Sequence, residues 1–383
     1  MGLRAAMIGL GFMGYTHTEA IRRLGGEVIG CLDSSPEATK AGVARLGIPR
    51  AYASLEECVA DPEVDIVHIC TPNYLHYPMT KAALEAGKHV LCEKPLAISS
   101  DESAALVRLA REKGLVGAVN YNLRFYPLCQ EARSRIRQGE IGEVRIIHGH
   151  YLQDWLFYPT DWNWRLETDL GGEMRAVTDI GTHWLDMVMW MTGLRVSAVV
   201  ADFATMIPTR FKPKGRVETF ATKLEKLDAT DEVAISTEDY ASILLQFDNG
   251  ARGCLTVSQV SAGHKNRTQW EINGTEASLR WQQEDANHLW IGYRDKPNEV
   301  ITKDPALIHE AARAMASYPG GHPEGYPDTF KQLFNAVYGY IKAGDFSAPA
   351  PFPTFEDGHH EIALCDAIQE SALERRWVEV VIW

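Results

Sequence analysis

The chain has 383 residues, too many for one typical domain, so two domains with separate buried cores are expected. Lys plus Arg number 38 against 51 Asp plus Glu, a formal charge of −13, and so acidic a chain lacks the basic footprint of a nucleic-acid binder. Apolar residues make up 45% and charged residues 23%, which excludes disorder as the main state, and no apolar run reaches the roughly 18 residues of a membrane span.

Residues 1–14 run straight into a glycine motif without a cleavable apolar region, so no signal peptide is expected. The seven cysteines (Cys31, Cys58, Cys70, Cys92, Cys129, Cys254, Cys365) are scattered without a Cys-x-x-Cys pair. They fit free thiols in a reducing, cytoplasmic setting, where sequons at Asn266 and Asn273 carry little weight.

Short apolar runs at 4–10, 27–32, 65–70, 88–92 and 115–119 alternate with helical patterns at 13–24, 36–46, 78–86 and 101–113. Continuous apolar strands alternating with helices predict a parallel sheet covered on both faces. Pro36 and Pro78 suit first helical turns, and Ser99 or Ser100 suits an N-cap. Beyond residue 122 the strand patterns lengthen, at 143–153, 241–248, 251–260, 267–272, 277–282 and 288–293. Asp248-Asn249-Gly250 joins two of them as a hairpin turn, because its central residues tolerate positive φ. Helices are predicted at 179–191, 328–343 and 355–374, and 208–238, with Pro, Gly and many charges, reads as an excursion or loop.

Gly9-Leu10-Gly11-Phe12-Met13-Gly14 closes the first strand and opens the first helix. The first glycine permits the turn, the second lets backbone approach a pyrophosphate, and the third lets helix and strand pack closely. The helix N-terminus then offers unpaired N–H groups to the phosphates. Asp33 ends the second strand 19 residues after Gly14, placed to accept from adenine ribose hydroxyls, with Ser34 following. A 2′-phosphate about 4 Å from that carboxylate would cost roughly 1–4 kcal/mol, which favours NAD over NADP. The fold predicted is an α/β Rossmann domain over 1–122 and an α+β domain over 123–383 with a large open, mostly antiparallel sheet.

Two further motifs sit where such a sheet binds ligands. Thr71-Pro72-Asn73, followed by His76, ends the third strand; the competing reading is a capped turn. Cys92-Glu93-Lys94-Pro95 ends the fourth, and a lysine there is costly unless paired, which suggests a role at the cofactor. Later, Asp179-Ile180-Gly181-Thr182-His183 puts an acid and an imidazole one helical turn apart. Asp179 would orient His183, which would take a proton from an alcohol; the competing reading is an N-cap Asp and a structural His. His148 and His150, without a third ligand, read as sheet residues, so no metal is expected.

Taken in order, Gly9–Gly14, Glu93-Lys94-Pro95 and Asp179–His183 resemble the glucose–fructose oxidoreductase/inositol dehydrogenase (Gfo/Idh/MocA) family. Thr71-Pro72-Asn73 with His76 and the stretch Asn120–Pro127 add to the likeness, which spans essentially the whole chain. The resemblance implies nicotinamide hydride transfer at a sugar or cyclitol hydroxyl, and a homodimer or homotetramer formed through the second domain's sheet. It implies Lys94 near nicotinamide and the reacting hydroxyl, His183 as acid/base, Asp179 as its partner or a substrate ligand, and permits a cis Lys94–Pro95 peptide. With the glycine motif, Asp33, Ser34, Thr71, Pro72, Asn73, His76, Glu93, Lys94 and Asn122 form the expected cofactor site.

Segments at 151–155, 162–165 and 318–326 resemble branches of that family acting on pyranosides and anhydrosugars. They make Asp154, Trp155, Trp164, Arg165 and His322 candidate substrate residues, together with Arg124 and Tyr126; aromatic faces beside polar groups suit carbohydrate. One departure is Glu173-Met174-Arg175 after Gly171-Gly172, where many members carry a third glycine. Arg175, with the cationic run His264-Lys265-Asn266-Arg267, suggests a carboxylated or sulfonated substrate; the alternative pairs Arg175 with a local acid such as Glu173. The same motifs serve relatives that hydrolyse glycosides through transient oxidation by tightly held NAD, so a redox-assisted glycosidase stays open beside a dehydrogenase. A non-catalytic NAD sensor fits less well with an intact Lys94, Asp179 and His183.

Overall fold

The computed structural model describes residues 2–214 and 229–381. The apolar runs of the first third form five parallel strands: β1 (Arg4–Ile8), β2 (Glu27–Leu32), β3 (Ile66–Ile69), β4 (His89–Cys92) and β5 (Gly117–Val119). Their spatial order is β2-β1-β3-β4-β5. Between them run α1 (Phe12–Arg23), α2 (Pro36–Leu46), α3 (Leu55–Ala60), α4 (His76–Glu85) and α5 (Ser100–Lys113). Every residue of β3 is buried, as a strand covered on both faces requires. Ser35, just before Pro36, caps α2 by accepting from the Ala38 N–H at 3.1 Å, and Ser99 caps α5 by accepting from Glu102 at 3.3 Å. The one-and-a-half turns of α3 are too short to leave a periodic signal in the sequence.

The second domain is organised on nine strands: β6 (Val144–Leu152), β7 (Val196–Ala204), β10 (Tyr240–Phe247), β11 (Arg252–Ser258), β12 (Arg267–Gly274), β13 (Ser278–Gln282), β14 (His288–Gly292), β15 (Glu299–Thr302) and β16 (Val378–Glu379). Their order is β15-β14-β13-β12-β6-β11-β10-β7-β16, antiparallel throughout except where β6 runs parallel to β11. Gly250, at φ 89°, makes the predicted turn between β10 and β11. The 208–238 stretch is not simply a loop: β8 (Thr209–Pro213) pairs with β9 (Ala229–Ala234) in a separate ribbon, and 215–228 lies outside the described residues. Alternation of apolar and charged residues is too weak there to announce strands, and side-chain anchoring described below holds β8 instead.

Helices α6 (Pro127–Arg137), α8 (Thr182–Thr192) and α11 (Phe355–Glu374) cover one face of this sheet; the short α9 (Glu310–Arg313) packs on α6, and the short α7 (Thr168–Gly171) packs against residues 73–75 of the first domain. Trp184 of α8 and Trp270 of β12 are fully buried in the resulting core. Along β10 buried residues alternate with more exposed ones, and Leu244 and Ile146 face outward on the uncovered side. The last long helices return to the first domain. On α10 (Tyr326–Ala343), Phe330, Phe334 and Tyr338 join Met7, Ile21 and Leu91 in one apolar cluster against α1. Each fully buried Phe contributes roughly 1.5–3 kcal/mol there.

Candidate active site

A cavity of about 740 Å³ lies where the carboxyl edge of the parallel sheet meets the second domain. Gly9, Gly11, Phe12 and Met13 form one end. Gly9 has φ 88°, and a Cβ there would stand 2.5 Å from the Cys70 carbonyl oxygen. A Cβ on Gly11 would meet nothing within 4 Å, so that position is left open for a ligand to approach the backbone. Gly14 is outside the cavity wall, and a Cβ there would lie 2.1 Å from the Gly9 oxygen, so its role is helix–strand packing. No side chain caps α1 and no acid occupies its first turn, which leaves its N–H groups for an anion. Asp33 and Ser34 line the same end; the Asp33 carboxylate accepts from Leu10 N–H at 2.9 Å and from Ser34 N–H at 2.6 Å.

Thr71, Pro72 and Asn73 line the adjoining wall, and the Thr71 hydroxyl is buried without a protein partner. Asn73 Nδ2 donates to the Gly171 carbonyl at 2.8 Å, tying the two domains together across the crevice. His76 departs from expectation. Its ring is buried behind this wall, with its nitrogens 2.6 Å from the Pro95 carbonyl and 2.9 Å from the Thr71 carbonyl. It braces the two turns that carry Thr71 and Lys94 and does not itself line the cavity. Asn122 lines the cavity while its Nδ2 donates to Thr329 Oγ1 at 2.7 Å.

Lys94 follows a cavity-lining Glu93 whose buried carboxylate is held by His17 Nε2 at 2.9 Å and by the Asn120 amide. The Lys94–Pro95 peptide is cis. Lys94 Nζ donates to Asp179 twice, to Oδ1 at 2.8 Å and to the carbonyl at 2.6 Å. Asp179 Oδ1 also accepts from Arg165 Nε at 2.9 Å, and Oδ2 from Gln259 Nε2 at 2.8 Å. Burial alone would push this carboxyl up, but Arg165 and Lys94 outweigh it and hold Asp179 well below the usual carboxylate range. The predicted helical start at residue 179 is instead a π-turn, Val177–Gly181, ahead of α8. The buried Glu238 carboxylate accepts from the N–H groups of Arg175 and Val177 and fixes this turn.

His183 and Asp179 both line the cavity, but no hydrogen bond joins them, which corrects the expected Asp–His couple. Asp179 is taken up by Lys94, Arg165 and Gln259. His183 lies edge-on to Tyr121, centroids 5.8 Å apart, and its Nδ1 is buried without a partner. Burial first, then the Lys94 charge, push its pKa down to about 3, so the ring is neutral at physiological pH.

The aromatic segments divide. Trp155, Trp164 and Arg165 line the cavity, with the Arg165 guanidinium 4.3 Å from the Trp164 ring centroid. Five other expected substrate residues do not reach it. Asp154 is turned aside, ion-paired with Lys265, which takes the wall position instead. Arg124 is buried and paired with Asp186 and Asp357. Tyr126 packs into the core, 5.0 Å from Trp281. His322 sits on an exposed loop, its Nδ1 3.2 Å from the Gly320 carbonyl. Arg175 is 1% exposed and bonds Asp239, Thr237 and Gln259, so neither an acidic substrate nor Glu173 is its partner. For Arg124, Tyr126 and Arg175 the sequence shows a polar or aromatic type but not the buried partner that claims it. Tyr326 and Phe330 of α10, Trp162, Lys212 of β8 and Gln259 reach the site without having been singled out. Trp162 and Tyr326 lie inside the aromatic segments 162–165 and 318–326 without being named as site residues; nothing in the sequence marks Gln259. Among the described residues no group of three or more His, Cys, Asp and Glu is placed to hold a metal ion.

Residues 3–121 match a model described as "Oxidoreductase family, NAD-binding Rossmann fold", and residues 129–280 match the GFO/IDH/MocA C-terminal domain. Levoglucosan dehydrogenase of Pseudarthrobacter phenanthrenivorans is 30% identical over 99% of this chain and 98% of its own. The chain belongs to the Gfo/Idh/MocA oxidoreductase family. The scyllo-inositol 2-dehydrogenase (NAD(+)) of Bacillus subtilis is 28% identical over 81% of this chain and 82% of that one. Among solved structures, levoglucosan dehydrogenase in complex with NADH and levoglucosan superposes with TM-score 0.88 at 29% identity, covering 100% of both chains. An inositol dehydrogenase homolog from Azotobacter vinelandii complexed with NAD+ gives 0.88 at 26% identity, covering 99% and 97%. NAD is thus the cofactor of this Gfo/Idh/MocA member, and the open Gly11 backbone, the uncapped α1 and the unpartnered Thr71 hydroxyl fit it. Among the described residues no helix is long and apolar enough to cross a membrane.

Proposed function

We propose that this family member is an NAD-dependent dehydrogenase of a sugar, glycoside or cyclitol hydroxyl, of the pyranoside type. The observation that carries the reading is the convergence of Lys94, Asp179 and His183 on one cavity between the glycine turn and the Trp155–Trp164–Arg165 wall. Bound NAD supplies the hydride acceptor. The aromatic wall holds the C–H face of the ring. Neutral His183 takes the hydroxyl proton at Nε2, since Nδ1 is shut away, while the Lys94 ammonium stabilises the developing oxyanion. Asp179 keeps Lys94 aimed. Asp33 favours NAD over NADP by repelling a 2′-phosphate. The uncovered sheet face carrying Leu244 and Ile146 supports homo-oligomer formation, and seven free cysteines support a reducing cytoplasm.

The test is purified enzyme with NAD and a panel of sugars, cyclitols, sugar acids and glycosides, following NADH absorbance and product mass together. Stoichiometric NADH with an oxidised sugar is expected. Aglycone release without NADH accumulation would replace this reading with a redox-assisted glycosidase.

A further inference from the structure

Gln259 stands at the end of β11 with no exposed surface, and its side chain lies between two charged groups. On one side its Nε2 donates to Asp179 Oδ2 at 2.8 Å; on the other its Oε1 accepts from Arg175 Nη1 at 3.0 Å. A primary amide has two nearly isosteric orientations, and a neighbour decides between them. Arg175 can only donate, so it fixes the amide oxygen toward itself and the NH2 toward Asp179. Arg175 is immobilised in turn: Nε donates to Thr237 Oγ1 at 3.1 Å, Nη2 to Asp239, and its own N–H to Glu238. Asp239 also takes Arg210 Nη2 at 2.9 Å, and Arg210 Nη groups hold the carbonyls of Leu156 and Tyr158 at 2.8 and 2.9 Å. The polar chain thus runs from the loop behind the aromatic wall to the carboxylate that holds Lys94.

We infer that Gln259, oriented by Arg175, is a positioning residue that sets the Asp179 carboxylate so that Oδ1 receives Lys94. The inference rests on the proposed function for its kinetic consequence, but not for its geometry. Without the Gln259 donor, Oδ2 is unpaired in a buried site and the carboxylate turns toward Arg165, releasing Lys94 from Oδ1 while the Asp179 carbonyl keeps it nearby. The Arg175 side chain reaches the Asp179 carboxylate through this amide.

The experiment combines Gln259→Leu, Arg175→Lys and the double variant, each with NAD and the best substrate, and a crystal structure of Gln259→Leu. Lysine at 175 keeps the charge for Asp239 but cannot serve Asp239, Thr237 and Gln259 together. Gln259→Leu is expected to lower kcat about ten- to hundredfold, the range for losing a group that orients a functional side chain, with KM for NAD unchanged. The double variant is expected to be no slower than Gln259→Leu, because one pathway is cut twice. In the crystal, the Asp179 carboxylate is expected out of hydrogen-bond distance of Lys94 Nζ, whose bond to the Asp179 carbonyl remains. Multiplying defects in the double variant, or an undisturbed Lys94–Asp179 pair in Gln259→Leu, would overturn the inference. If wild-type enzyme oxidises no member of the panel, the proposed function falls, while the crystal structure still decides whether Gln259 positions Asp179.

Discussion

Lys94 reaches across the domain crevice to hydrogen-bond both the carboxylate and the backbone carbonyl of Asp179, 85 positions later in the chain. The two acceptors fix the ammonium in direction, which a carboxylate alone would not do. Lys94→Met should therefore lower kcat about 10²–10³-fold, the usual scale for losing a donor to a developing oxyanion. NAD affinity should stay near wild type by fluorescence titration. Normal turnover in this variant would remove Lys94 from the chemistry.

The buried imidazole gives a prediction about pH. The folded pKa of His183, about 3, lies below its ordinary value of 6.5, so folding favours the neutral ring. Its stabilising share is complete above pH 6.5 and is lost as pH falls toward 3. Thermal melts of wild type and His183→Asn should draw together as pH drops from neutrality, the variant having no ring to charge. A gap that stays constant over that range would contradict the depressed pKa. At neutral pH His183→Asn should lose about 10²–10⁴-fold in kcat, as removal of a general base does.

Cofactor choice turns on Asp33. Its carboxylate also receives the Leu10 N–H, so Asp33→Ser removes a charge and loosens the glycine turn. The ratio of kcat/KM for NAD over NADP should fall by roughly ten- to thousandfold. Measuring both cofactors at fixed substrate decides it; an unchanged ratio would mean that another group makes the selection.

Arg175 tests the difference between a buried brace and a substrate anchor. Arg175→Met leaves Asp239 paired with Arg210 but strips the donor from buried Thr237 and Gln259, and should destabilise the protein by about 1–3 kcal/mol in denaturant titration. Its effect on KM should be equal for neutral and carboxylated sugars. A KM rise confined to acidic substrates would restore the anion-binding role.

The sequence announced the parallel sheet well because each of its strands is a continuous apolar run closed by a turn residue. Gly9, Asp33, Lys94 and His183 could be picked out because they stand at strand and helix ends, and all four line the cavity. The sequence failed where a polar side chain is used inside the protein. Arg124, Tyr126 and Arg175 look like ligand-binding residues by type, yet Asp186, Trp281 and Asp239, all distant in sequence, claim them. The same blindness hid Gln259, an unremarkable amide until Arg175 and Asp179 stand on either side of it. Pairings across 62 to 84 residues leave no local pattern to read.

The return of α10 onto α1 has a consequence for how the chain is made. The surface of the nucleotide-binding sheet that Phe330, Phe334 and Tyr338 cover stays open until those residues have been synthesised. A ribosome would have to deliver almost the entire polypeptide before the first domain could close its core. Cutting the gene after residue 122 would accordingly yield an adhesive fragment rather than a portable cofactor-binding module.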